Sequence, residues 1–192
     1  MDIDMNALRR YRDEVNLLRK QARWAPPDET GCTVTYLRVR PGSLGYGFCE
    51  GIPFAYERQK QTSKEQLKLR KGTQNYIRLV RREGKLLRVD KYVHGSHDVV
   101  FLAEYHDGVR YLFPFLEGGG FYPTYTYVTH YDNNRPCMEL WVEGGQILRW
   151  IYDDQEDGSI AVSYVNAVPD GSVPIISRGT DVYSPGNEIT LL

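Results

Sequence analysis

The segment DDQEDGSI opens like a calcium-binding loop, with Asp153 at the first position, Gln155 at the third, Asp157 at the fifth, Gly158 at the sixth and Ile160 at the eighth. Hard carboxylate oxygens in that order suit a calcium ion. The twelfth position, however, is Tyr164 where a bidentate Glu is needed, and the flanks do not read as helices. The segment therefore reads as a solvated acidic hairpin. His94, His97 and Asp98 in HGSHD make a divalent site only if another turn supplies a further ligand. Cys49 in GYGFCEG is the thiol in the most open setting, but a thiolate nucleophile needs a histidine or a cation beside it and none is near in sequence. The glycines around it, Gly42, Gly45, Gly47 and Gly51, lack the spacing of a phosphate-binding loop. There is no GxSxG and no HExxH. No catalytic residue, metal ligand or cofactor is expected, although a hydrolase assembled from distant residues stays open.

Two further groups could bind a ligand. Five aromatics fall between Phe121 and Tyr131, and in PTYTYVTHY the period of two puts Tyr125, Tyr127, Thr129 and Tyr131 on one face, with Thr126, Val128 and His130 on the other. Such a row stacks sugars or bases, yet tyrosine is also a good strand residue, and Phe113, Phe115 and Phe121 nearby favour an aromatic core. The second group is KLRKGTQNYIRLVRREGKLLRVDK, residues 68–91, whose only acids are Glu83 and Asp90. Read as strands, its basic residues partly alternate with apolar ones, and a cationic sheet face can follow phosphates.

These residues need elements to hold them. Leu8, Tyr11, Val15, Leu18 and Ala22 recur at steps of three and four, so 4–24 is expected to be an amphipathic helix capped by Asp4 and stopped by Pro26 and Pro27. Arg9, Arg10, Arg12, Arg19, Lys20 and Arg23 occupy its other faces. Thr33 to Arg40 alternates as a strand, a short strand is expected at 54–57, and 62–71 resists assignment. From residue 75 to 167 eight strand-like runs follow one another, separated by Glu-Gly, His-Gly, Asp-Gly, Asn-Asn and Gly-Gly turns of the kind hairpins require. GKLLR at 84–88 and GQILR at 145–149 echo each other weakly. Residues 168–192 read as irregular. The fold expected is mainly β: a single domain of 192 residues built on an antiparallel meander of about eight strands, closed into a small barrel or strongly curved, with the helix packed on it.

Counting turns along that meander places His94 and His97 at one end, and His106, Asp107, His130, Asp132 and the acidic hairpin at the other. The net charge of -1 hides a division: residues 1–91 carry a net +9 and residues 92–192 a net -10. The two halves either neutralise each other within the fold or across an oligomer contact, or the basic half meets an anionic partner. Residues 1–24 do not read as a secretory signal, no apolar run is long enough to span a membrane, and Cys32, Cys49 and Cys137 form no CxxC pair, so a cytoplasmic protein with free thiols is expected.

Together these features lead to a non-enzymatic binding or protein-interaction domain, with a protein partner or a second copy as the expected contact. Arg81, Arg82, Lys85 and Arg88 are the candidate partner-binding residues. Three alternatives remain: a barrel holding a small apolar ligand among Tyr111, Phe113, Tyr125, Tyr127 and Trp150; a nucleic-acid-associated protein using the basic half; and the hydrolase already mentioned.

Overall fold

Residues 3–38, 65–184 and 190–191 are described by the computed structural model. The Cys49 loop and the strand expected at 54–57 lie outside them. One helix, α1 (Met5–Gln21), precedes β1 (Thr33–Arg38), β2 (Tyr76–Arg82), β3 (Lys85–Val93), β4 (Ser96–His106), β5 (Val109–Phe115), β6 (Thr126–Asp132), β7 (Arg135–Glu143), β8 (Gln146–Asp154), β9 (Ile160–Ala167), β10 (Ile175–Tyr183) and the two-residue β11 (Thr190–Leu191). Every strand pairs antiparallel with its neighbours in sequence, and the order across the single sheet is β1 through β11.

The meander expected from the turns is therefore present, with two corrections. Among the described residues it has ten strands of six residues or more instead of about eight, because β1, expected as a separate strand, joins the same sheet and β10 forms within the stretch that reads as irregular. IISRGTDVY has no alternation of apolar and polar residues, but it is registered along β9, where Gly179 lies opposite Tyr164. The tyrosine ring occupies the space a side chain at 179 would fill: a Cβ there would stand 2.5 Å from the Tyr164 hydroxyl. Cross-strand cover of this kind restores the packing a glycine lacks. The second correction is that the sheet stays open: among the described residues β1 and β11 are opposite edges, and no barrel closes.

Both faces of the sheet carry apolar clusters. One holds Leu8 and Val15 of α1, and Ala22 just after it, against Val100, Leu102, Phe113, Phe115, Leu140 and Val142. The other holds Leu79, Val89, Phe101, Leu112, Tyr127 and Trp141. In β5 every residue after Val109 is buried, so this strand is the middle of the molecule.

The helix starts where Asp4 accepts hydrogen bonds from the backbone N–H groups of Asn6 and Ala7, at 2.9 and 3.0 Å, and it ends at Gln21, ahead of the prolines. Beyond it, Trp24 meets the Phe115 ring edge-on at 5.7 Å and lies over Gly119, whose φ of +110° and missing Cβ admit the indole. That contact gives the glycine triplet a packing role. Arg12 departs from the expected outward array: it is buried, held by Asp13 at 2.7 Å and by Asp170 of the β9–β10 connection, which also receives Arg9 Nε at 2.6 Å.

Candidate functional site: a cationic cleft at the turn-bearing end

Three hairpins end side by side. The turns at 83–84, 107–108 and 133–134 have both central residues at positive φ: Glu83 and Gly84 at 50° and 79°, Asp107 and Gly108 at 48° and 78°, Asn133 and Asn134 at 47° and 63°. This is the two-residue geometry that matches strand twist. Such turns sit two strands apart, about 10 Å. Between them opens a cleft of about 980 Å³, lined among others by Arg81, Lys85, Tyr105, Arg110, Tyr131 and Asn134.

Strand register decides what faces the cleft. Tyr105 pairs with Arg110, and Arg110 with Thr129, on the face that carries Leu112 and Tyr127, away from α1. Arg110 is 3% exposed and donates from Nη2 to Thr129 Oγ1 at 2.8 Å, with its guanidinium carbon 5.7 Å from the centre of the Tyr131 ring. Lys85 Nζ stands 5.9 Å from the centre of the Tyr105 ring, whose hydroxyl donates to Leu86 O at 2.9 Å. Arg81 is braced by both oxygens of Glu65, at 2.7 and 2.8 Å. The lining holds Arg81, Lys85 and Arg110 with one carboxylate, Glu83. Arg81 is already paired with Glu65, and the buried carboxylate Glu139 lies beyond Thr129 in the same cross-strand row as Arg110, which leaves Lys85 as the exposed cation of the cleft.

Arg81 and Lys85 line the cleft. Arg82 donates to the carbonyls of Asp28 and Thr30, at 2.6 and 3.3 Å. Arg88 lies on the opposite face, in a network around Asp90, a carboxylate with no exposure at all that receives Arg78 at 2.8 Å, Arg88 at 2.7 Å and His97 at 3.2 Å. Glu29 also meets Arg78, whose hydrogen bond holds the Glu29 carboxyl below its ordinary range. The basic strands therefore distribute their cations over both faces. The five aromatics divide in the same way. Tyr111 and Phe113 pack on the helix side, while Tyr125, Tyr127 and Trp150 join the other cluster, where Trp150 and Trp141 have centroids 4.4 Å apart. They make no common pocket. Burial raises the Tyr111 hydroxyl to about 12, with Glu14 adding to the effect.

Among the described residues no group of three or more His, Cys, Asp and Glu side chains could hold a metal ion. The acidic loop uses Asp157 internally, as acceptor for the N–H and hydroxyl of Ser159 at 2.9 and 2.5 Å. His106 and His130 do not meet: His106 lies 3.4 Å from Glu104, whereas His130 stacks edge-on with Tyr11 at 5.9 Å on the helix side.

Sequence reasoning missed Tyr105, Arg110, Asn133 and Asn134. The available signal was Arg110 itself, a lone charge in VRYLFPF, where a buried strand has no need of one. Comparison of the chain with protein-family models, with curated proteins and with solved structures gives no match. No helix among the described residues is long and apolar enough to cross a membrane.

Proposed function

We propose that this chain is a non-enzymatic binding domain in which the open sheet holds a cationic, tyrosine-lined cleft for an acidic segment of a protein partner. The observation that carries the reading is Lys85: an exposed ammonium that lines the cleft over the Tyr105 ring, beside Arg81 and Arg110. Protein is favoured over nucleic acid by the surroundings. A polynucleotide crossing the three turns would meet Glu83, Asp107 and Asp132 in succession, whereas one carboxylate cluster enters between them. Cys32 and Cys137 carry free thiols, which suits the reducing cytoplasm and makes that location part of the proposal.

The test is a titration of the isotopically labelled protein with a synthetic Asp/Glu-rich peptide and, separately, with a random oligonucleotide of equal charge, followed by amide shifts. The peptide is expected to move Lys85, Gly108 and Asn134, and Lys85→Glu to remove the response. Binding only by the oligonucleotide, with a steep log-linear loss of affinity as salt rises, overturns the reading. So does the absence of any shift around the cleft.

A further inference from the structure

The linear order of the strands gives the divided charge of the sequence a spatial form. Basic strands lie at the β1 end of the sheet, and the acidic β8–β9 hairpin lies towards the other, inside β10 and β11. Asp153, Asp154, Glu156 and Asp157 are all exposed at the tip of that hairpin. Of these, Asp154 is engaged by Arg135, 2.5 Å away, and Asp157 by Ser159. Asp153 and Glu156 have no ion pair among the described residues, and neither has Lys85 in the cleft. Among the described residues, the ion pairs that join the two halves include Arg9 and Arg12 with Asp170, Lys91 with Asp98 at 3.1 Å, and His97 with Asp90. The opposite charges at the turn-bearing end are thus left displaced sideways along one edge of the molecule.

Resting on the binding reading above, we infer that the acidic segment the cleft accepts is the β8–β9 hairpin of a second copy of this chain. The geometry has a self-consistent solution. Turns alternate between the two ends of a meander, so the turns at 83–84, 107–108, 133–134 and 155–158 all project from the same end. The cleft is centred on the β4–β5 turn, and the acidic hairpin lies four strands further along, about 20 Å. A two-fold axis normal to the sheet, passing the end of the β6–β7 hairpin, reverses both the strand direction and the left-to-right order of the second copy. It sets each acidic hairpin against the other copy's cleft. Both contacts are then identical, as a two-fold interface demands. The turn left facing its own copy at the axis is Asn133-Asn134, which carries no charge and offers amide groups that hydrogen-bond to each other. A charged turn there would repel itself. Asp107 and Asp132 flank the cleft and confine the match to this register, because a shift of one hairpin brings acid against acid.

Sedimentation of the full chain over a range of concentrations reads the contact directly. Wild type is expected to dimerise at low salt and to weaken as salt rises. Lys85→Glu and Glu156→Lys, both at exposed sites, are each expected to weaken self-association on the order of tenfold or more, with unchanged thermal melting. An equimolar mixture of the two variants forms one compensated contact, and the double variant on one chain forms both, so each is expected to recover association. A monomer at every concentration that still binds the acidic peptide overturns this inference and leaves the binding reading standing. A monomer that binds no peptide removes both. Dimers that neither reversal affects, or reversals that the swap fails to rescue, also overturn the two-fold contact.

Discussion

Asp90 shows what one residue does in this fold. Its carboxylate is wholly buried and is answered by Arg78, Arg88 and His97, while the Tyr76, Tyr92 and His97 rings stack beside it with centroids 4.4 and 4.6 Å apart. Removing one partner from a buried ionic network leaves the others uncompensated. Asp90→Asn is accordingly expected to destabilise the protein by roughly 3 kcal/mol or more in urea denaturation. His130 gives a pH dependence. Burial pushes its imidazole below the ordinary 6.5, against the opposing effect of Glu14, and its Nε2 is buried without a hydrogen-bond partner. A group with a depressed folded pKa contributes stability that is present above the unfolded value and lost as pH falls through the folded one. Stability is therefore expected to decline as pH drops below about 6.5, where the unfolded chain binds the proton first. In His130→Gln that slope disappears from denaturation curves measured between neutral and mildly acidic pH, and an unchanged slope would place its origin elsewhere.

At the scale of elements, α1 and β10 became ordered for different reasons. The helix carries its instructions locally: a capping aspartate, a stripe at helical spacing and arginines and lysines on the other faces. Leu8 and Val15 are its buried anchors, whereas Tyr11 and Leu18 are only partly covered. Leu8→Ala is expected to cost about 2–4 kcal/mol, and Leu17→Ala, at an exposed position, close to nothing, both read from urea midpoints. β10 depends on its neighbour. Gly179→Ala must displace the Tyr164 ring, and the expected loss is about 1–3 kcal/mol. Amide exchange along 175–183 is expected to accelerate with it, since pairing with β9 is what defines this strand. Normal protection in the variant would show that the tyrosine does not hold the strand in place.

For the whole molecule, α1 covers part of one face of the sheet. Deleting residues 1–24 strips Leu8, Val15, Ala22 and Trp24 from the cluster that covers Phe113, Phe115 and Val142. The truncated chain is expected to lose cooperative unfolding or to aggregate, because an isolated sheet face of that size is exposed. A truncated monomer that melts as sharply as the full chain would show that the helix is an arm and not part of the core.

Elements whose signals are local can be read from the chain alone. Hairpin turns require Gly, Asn or Asp at positive φ, and strands between them alternate, so β2 to β9 were legible to within a few residues. The helix and its docking stripe were legible for the same reason. Tertiary structure decided what depends on register and on contacts distant in sequence. Both faces of the sheet bury apolar side chains, β1 and β11 lie at opposite edges of it, and β10 is a strand because it pairs along β9. Arg12 is drawn inward by Asp170, 158 residues away. The cleft belongs to this second kind. Lys85, Tyr105, Arg110 and Tyr131 come from four different strands or turns, and no spacing in the chain records that pairing along β3 to β6 brings them to one end. Period and turn chemistry act over a few residues; the site is assembled by the pairing of whole strands.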